Sequence, residues 1–177
     1  MKKVCISFLI IAIIVLSSVG IFTLNAQPKK EYLRIHIRAN SNLSEDQQVK
    51  YLVKNDIVEF LTPYIAQCDT KQKAISMLND NLKNIESVAK RTLKQNGFDY
   101  SVKASVNNEQ FPTRVYDGVC LDAGFYDALI IELGEGKGDN WWCVVYPPLC
   151  FTGEGCSYIY KSKIIEIING FFNKEKK

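Results

Sequence analysis

The sequence predicts an α+β domain: a mostly antiparallel sheet with two consecutive helices after its first strand and a helix near the C-terminus. An apolar signal or anchor helix is predicted ahead of it. Two observations carry the class. Strand-like alternation and helix-like spacing occupy separate stretches of the chain. Their order, one strand, two helices, several strands and a helix, does not alternate as a doubly wound fold would.

The first 28 residues differ from the rest, because no charged side chain occurs between Lys3 and Lys29. A Met-Lys-Lys start and then an apolar run are typical of a secretory signal. Residues 4–24 also approach the ~20 apolar residues that a membrane helix needs, so a retained anchor stays open. The two lysines favour export of the chain beyond the apolar run. We therefore expect residues 1–26 to be a signal peptide or anchor, residues 27–31 a linker, residues 32–173 one exported domain and residues 174–177 a charged tail.

The first half of that domain predicts one strand and two helices. Bulky apolar residues alternate with basic ones from Tyr32 to Arg38. Ser44 and Gln47 have capping-box spacing, and helical periodicity extends over Glu45–Leu61 before Pro63. A second helix is predicted from an Asp69-Thr70 cap to Gly97.

The second half predicts four strands and a helix. The clearest alternation runs from Phe98 to Asn107, and further strands are expected at Thr113–Tyr116, Tyr126–Leu133 and Trp142–Tyr146. The last two are predicted to form a hairpin around a loop rich in glycine, residues 134–140. Lys161–Asn173 predicts the closing helix.

Charge and cysteine content narrow the function. Residues 27–177 carry a formal charge of +1, because Lys2 and Lys3 leave with the first 26 residues. This near-neutral balance argues against nucleic acid as a partner. Six cysteines occur, and with Cys5 in the apolar segment the remaining five cannot all pair within one chain.

Little in the sequence predicts catalysis. His36 is the chain's one histidine and lies in an alternating strand, where a structural role is the commoner one. Cys143, Cys150 and Cys156 have no histidine near them, so we predict no metal, and we predict no cofactor and no small-molecule substrate. A thiol hydrolase using Cys143 with His36 as base is the enzymatic alternative.

The most unusual segment is Asn140–Phe151, which contains both tryptophans of the chain and a Pro147-Pro148 pair. Core packing is the default explanation. A rigid aromatic surface for a protein partner is the sharper one, since Trp, Tyr and Phe are enriched at interfaces. Period-two alternation predicts that Trp142, Val144 and Tyr146 face one way and Trp141 the other. The candidate contact residues are Asn140, Trp141, Trp142, Tyr146, Pro147, Pro148 and Phe151.

Residues 138–151, Gly-Asp-Asn-Trp-Trp-Cys-Val-Val-Tyr-Pro-Pro-Leu-Cys-Phe, resemble the stage II sporulation protein R family of endospore-forming bacteria. The Arg38-Ala39-Asn40-Ser41 turn with Asp46-Gln47, the Phe111-Pro112-Thr113 run and residues 124–134 support the resemblance. It implies a signalling protein, not an enzyme, that is exported across the forespore membrane into the intermembrane space. There it would activate a mother-cell membrane aspartic protease that matures pro-sigma E.

Two further expectations accompany this interpretation. Cys143 and Cys150 are predicted to bridge, because the intervening residues fold back around the proline pair and the space outside the cytoplasm is often oxidising. A passive domain of the cell envelope is the remaining alternative.

Overall fold

The computed structural model describes residues 32–116, 118–151 and 158–175. The predicted signal or anchor, residues 1–26, and the linker, residues 27–31, lie outside these ranges, so both stay predictions. Among the described residues, no helix has the length and apolarity needed to span a bilayer.

Four strands form the main sheet, in the order β2-β5-β1-β6: β1 (Leu33–Arg38), β2 (Val102–Phe111), β5 (Gly124–Leu133) and β6 (Asn140–Tyr146). β1 runs parallel to β5, while the β1–β6 and β2–β5 pairs are antiparallel. The α+β class is confirmed, and the sheet is mixed, with two antiparallel strand pairs and one parallel pair. A separate two-stranded hairpin consists of β3 (Arg114–Tyr116) and β4 (Val119–Leu121), of which the sequence patterns predict only β3.

The predicted hairpin of β5 with β6 is wrong, because β1 lies between these strands and pairs with both. Leu33, Ile35 and Ile37 of β1 have no exposed surface, which a central strand achieves more readily than an edge strand. The glycine-rich loop therefore crosses the end of β1 instead of closing a tight turn.

The two helices come after β1 as predicted: α1 spans Ser44–Ile65 and α2 spans Lys71–Gln95. Thr70 caps α2 by accepting a hydrogen bond from the Lys73 amide, at 3.2 Å. α1 differs from the prediction at both ends. It continues past Pro63, since a proline in the last turn removes only one late helical hydrogen bond.

The predicted capping box at the start of α1 is also wrong. Leu43 occupies the cap position without a side-chain hydrogen bond, and the Gln47 side chain donates instead to the Ser41 carbonyl, at 2.9 Å. The closing helix, α3, spans Tyr158–Glu175 and is longer than predicted. The alternation predicts β2 from Phe98 to Asn107, but the strand begins later, at Val102, and ends later, at Phe111.

The core lies between α1, α2 and one face of the sheet. Alternate strand residues face it, including Ile35, Leu129, Ile131 and Cys143. The opposite face carries a smaller apolar cluster around Phe111, Tyr126, Ala128 and Ile130. This second face is the part of the fold where polar and aromatic side chains meet.

Candidate functional site

The turn after β1 is fixed by the loop that crosses it. The Gly138 amide donates to the Ala39 carbonyl at 2.9 Å, and the Glu135 amide donates to Asn40 Oδ1 at 3.0 Å. A Cβ atom on Gly134 would lie 2.2 Å from Asn40 Oδ1, and one on Gly138 would lie 2.2 Å from the Ser41 carbonyl oxygen. At Gly138 only glycine allows this close approach of two backbones, and at Gly134 the left-handed φ of +59° also favours glycine.

A buried carboxylate holds the same turn to α1. Asp46 accepts hydrogen bonds from Asn40 Nδ2 at 2.9 Å, from Ser41 Oγ at 2.6 Å and from the Tyr100 hydroxyl. Burial pushes the pKa of Asp46 upward, but the hydrogen bonds from Ser41, Tyr100 and Asn40 together hold that pKa below its usual value. The turn residues thus have a structural task.

Lys50 joins this network from the next turn of α1. It is 1% exposed, and its Nζ donates to Gln47 Oε1 at 2.6 Å and to the Asp139 carbonyl at 2.9 Å. Burial lowers the pKa of Lys50, and the charge of Asp139 partly opposes that effect. Lys50 therefore ties α1 to the start of β6.

The aromatic segment begins at the end of this network, and its residues differ in exposure. Asn140 is exposed, and Trp141 and Trp142 are each half-buried. Tyr146, Pro147, Pro148 and Phe151 are buried. Of the predicted contact residues, only the first three present surface to a partner in this structure.

Tyr146 does not share a face with Trp142, contrary to the alternation predicted for β6. The register of β6 on β1 shifts between Leu33 and Arg34, which carries Tyr146 into the core cluster on the helix side. An irregularity of this kind reverses the facing of every later residue.

Each tryptophan has a distinct environment. The ring of Trp142 stacks on His36, with centroids 3.7 Å apart, and contacts Phe111 edge-on at 4.8 Å. Trp141 packs partly against the core, and Lys54 Nζ lies 5.8 Å from its ring centroid. Trp141 therefore lies on the helix side of the sheet, next to Lys54 of α1, while Trp142 belongs to the second face of the sheet.

Cys143 and Cys150 are brought together, with Cα atoms 6.3 Å apart, a separation found in disulfides. Cys143 faces the helix side and is fully buried, whereas His36 faces the opposite side of the sheet. The structure thus separates the thiol and the imidazole that a hydrolase would need to bring within hydrogen-bond reach. The thiol hydrolase alternative is wrong on this geometry.

His36 itself is part of a charged cluster on the second face. Its Nδ1 lies 2.8 Å from Glu109 Oε2, and Arg38 bonds to Glu109 and to Glu132. No group of His, Cys, Asp and Glu side chains suited to hold a metal ion occurs in the described part of the chain.

Comparison with known proteins identifies the family. The sequence model of the family described as stage II sporulation protein R matches residues 29–155 of this chain. The chain belongs to this family. Stage II sporulation protein R of Bacillus subtilis (strain 168) is 34% identical over 119 residues, which is 67% of this chain and 53% of that protein. The chain thus matches about half the length of this curated relative. No solved structure matches the chain significantly.

Membership of the stage II sporulation protein R family places the chain in sporulation, at stage II. The family consists of signalling proteins rather than known enzymes. Part of the resemblance lies at one end of the sheet, where the Arg38 to Ser41 turn meets Asp46 and the loop before Asn140. The Phe111-Pro112-Thr113 run lies at the other end, where Phe111 pairs with Gly124. The first group fixes the start of β6 next to α1.

Sequence patterns do not reveal the buried polar residues of this domain. Arg34, Asp46 and Lys50 all have less than 4% exposure, although charged residues are seldom buried. Only Arg34 leaves a signal, since it alternates with His36 and Arg38 on one face of β1. Basic alternation of this kind usually indicates a solvated face, and here the face is covered.

Proposed function

We propose that this chain is an exported sporulation signal that activates a membrane-bound aspartic protease of the mother cell and so leads to processing of pro-sigma E. The observation that carries the proposal is the family match over residues 29–155. The fold supports a binding role, because its charged and aromatic groups are held by one another in a rigid arrangement. Export by the N-terminal segment, which would also be the membrane contact, and location between the two sporulation membranes are parts of the same proposal.

The contact with the protease is proposed to use the Trp141 surface, which we define as Tyr51, Lys54, Asn140 and Trp141. Tyr51 is 50% exposed and lies one helical turn from Lys54, whose ammonium group approaches the Trp141 ring. Asn140 is exposed beside Trp141. Tryptophan and tyrosine are among the side chains most often found at the energetic centre of an interface.

The buried members of the aromatic segment shape this surface rather than touch the partner. Pro147, Pro148 and Phe151 are buried in the structure, and the segment folds back on β6 through Cys143 and Cys150. We propose that they hold β6 and the next turn in place. Their substitution would then act through stability.

The test is co-expression of the exported chain with the protease and pro-sigma E, scoring cleavage of the precursor. Trp141→Ala and Tyr51→Ala should each reduce activation by about tenfold or more, as expected for an interface centre worth ~2 kcal/mol. Thermal unfolding should stay close to wild type for Tyr51→Ala, since half of that side chain is exposed.

Phe125→Ala is the matched control, because Phe125 is 65% exposed and lies on β5, outside the Trp141 surface. It should activate like wild type. Normal activation by both Trp141→Ala and Tyr51→Ala would place the contact elsewhere while leaving the function intact. A wild-type chain that leaves the precursor uncleaved would remove the proposed function and favour the passive envelope domain.

A further inference from the structure

The second face of the sheet contains a buried cation without a counter-ion among the described residues. Arg34 has no exposed surface, and its Nε and Nη1 groups have no hydrogen-bond partner there. Its Nη2 donates a hydrogen bond to the Tyr116 hydroxyl, at 2.7 Å. No ion pair found in the described ranges includes Arg34, whereas Arg38 and Lys71 are each paired with carboxylates.

Aromatic rings surround this guanidinium group. Its central carbon lies 4.3 Å from the Phe111 ring centroid, 4.9 Å from that of Tyr126 and 5.7 Å from that of Tyr116. Rings at such distances stabilise a cation, but a ring face does not replace a hydrogen-bond acceptor for Nε and Nη1. The cage is therefore electrostatically favourable and still leaves these two groups without an acceptor among the described residues.

His36, two residues along the same strand, repeats the pattern. It is 1% exposed, its Nδ1 faces Glu109, and its Nε2 has no partner among the described residues. Alternate residues of a strand share a face, so both unpartnered groups belong to the same side of β1. Two buried polar side chains with such atoms on one face point to a group that the described residues do not supply.

We infer that the aromatic cage around Arg34 is a binding site for a carboxylate group. An unpaired buried guanidinium carries a large desolvation penalty, and a carboxylate offsets that penalty best because its planar oxygens match the planar donors of arginine. A phosphate dianion fits worse, since Glu109 and Glu132 lie around Arg38 on the same face and leave little further positive charge. The site does not depend on the proposed function.

Tyr116 occupies one of the Arg34 donors that a carboxylate would use. Its hydroxyl is a neutral acceptor on Arg34, and its side chain belongs to the small hairpin rather than to the main sheet. A carboxylate makes the stronger, charge-assisted hydrogen bond to arginine, so it competes with this hydroxyl. Tyr116→Phe removes the competitor and should tighten carboxylate binding by about 3- to 10-fold.

The site is tested by nuclear magnetic resonance on the full chain, which contains four arginines. The chain is labelled with ¹⁵N-arginine, and the Nε–H resonances are monitored. Arg34→Lys assigns the Arg34 signal. Sodium acetate should move that signal saturably, while sodium chloride at the same ionic strength should not. A shift that is equal in chloride, or that never saturates, would overturn the site.

Variants separate this site from other cations. Acetate should raise the thermal midpoint of the wild-type chain, because it binds the folded state. Arg34→Lys should abolish this rise, whereas Arg114→Gln, at the exposed start of β3, should leave it unchanged. If Arg34→Lys unfolds, the wild-type resonance and Tyr116→Phe still decide the matter, and loss of acetate binding in Tyr116→Phe would count against the site. Asp117 directly follows Tyr116 in the sequence, so its carboxylate is also tested. A shift of the Arg34 signal in Asp117→Asn without acetate would show that the counter-ion lies within the chain, which would also overturn the proposal.

Peptides then identify the source of the carboxylate. A Gly-Gly-Ala peptide with a free C-terminus is compared with its C-terminal amide and with acetate. Tighter binding of the free acid than of acetate would assign the site to a chain terminus, and equal binding would assign it to small carboxylates. Equal binding of acid and amide would contradict recognition of a carboxylate.

Discussion

Asp46 shows how much of this domain depends on single buried polar residues. Its carboxylate, in the first turn of α1, bonds to the preceding turn after β1 and to Tyr100, which is distant in sequence. Burial raises the pKa of Tyr100, as does its bond to Asp46, so the hydroxyl remains a donor. An ionised Asp46 with three donors is therefore the stable state of the fold.

Asp46→Asn should lower the free energy of unfolding at pH 7 by about 1–3 kcal/mol, because an amide cannot accept all three hydrogen bonds. The pKa of Asp46 is lowered in the folded state. Its stabilising contribution is then complete above the ordinary aspartate pKa of about 3.9 and is lost as the pH falls through the folded pKa.

Urea unfolding at several pH values measures this effect. The gap between wild type and Asp46→Asn should be constant near neutrality and should shrink below pH of about 4. Asp80→Asn, at an exposed position of α2, serves as the control and should show no gap. A gap that persists unchanged at low pH would mean that the carboxylate charge does not matter.

The sequence is least informative about the surroundings of single residues. Alternation correctly puts Arg34, His36 and Arg38 on one face of β1, but it predicts a wet face. Phe111, Tyr126 and Trp142 cover that face in the structure. These residues come from distant strands, so local periodicity carries no record of them.

Among the elements, the loop from β5 to β6 depends most directly on side-chain size. Gly138→Ala would place a Cβ atom 2.2 Å from a backbone oxygen of Ser41, which cannot move without displacing the turn. Gly97 differs, since its φ is +85° and its Cβ position is open. Gly138→Ala thus tests a steric clash, and Gly97→Ala tests backbone strain.

Gly97→Ala should cost about 1 kcal/mol, the usual penalty for a left-handed alanine. Gly138→Ala should cost more than about 3 kcal/mol, because the loop and the turn must separate. Chemical unfolding of both variants measures the difference. Equal costs would mean that the loop does not hold the turn.

The predicted bridge between Cys143 and Cys150 acts on the turn after β6. Closing this short loop restricts the unfolded chain, and the model-dependent gain is about 2 kcal/mol. We expect mass spectrometry of alkylated, unreduced protein to find these two cysteines protected and Cys68 and Cys120 free once the chain is unfolded. Modification of Cys143 under those conditions would contradict the bridge.

Element type is predictable from the sequence, while strand order is not. The cap at Thr70 and the stop at Gly97 identify α2 closely, because local chemistry fixes both ends. The insertion of β1 between β5 and β6 depends on contacts across about a hundred residues. The general preference for pairing of consecutive strands predicts a β5–β6 pair here and is therefore wrong. The aromatic segment is recognisable in the sequence, but the register shift that turns Tyr146 inward leaves no local mark.

For the molecule as a whole, the sheet divides the groups with potential chemistry between two faces. Cys143 lies in the core under the helices, and His36 lies across the sheet beside Trp142 and Glu109. A thiol hydrolase would need these two side chains together. We therefore expect the proposed signal to act by binding. A signal that binds must be present in amounts comparable to its receptor.

Activation should therefore be stoichiometric. When the purified chain is titrated against a fixed amount of protease in membranes, the rate of pro-sigma E cleavage should rise until the two proteins are about equal and then level off, provided both exceed their dissociation constant. Cys143→Ser combined with Cys150→Ser should reach the same plateau at a temperature where that variant stays folded. Full activation by a small fraction of one equivalent, reached gradually during incubation, would contradict this prediction. Each chain would then activate many protease molecules in turn, as a catalyst does.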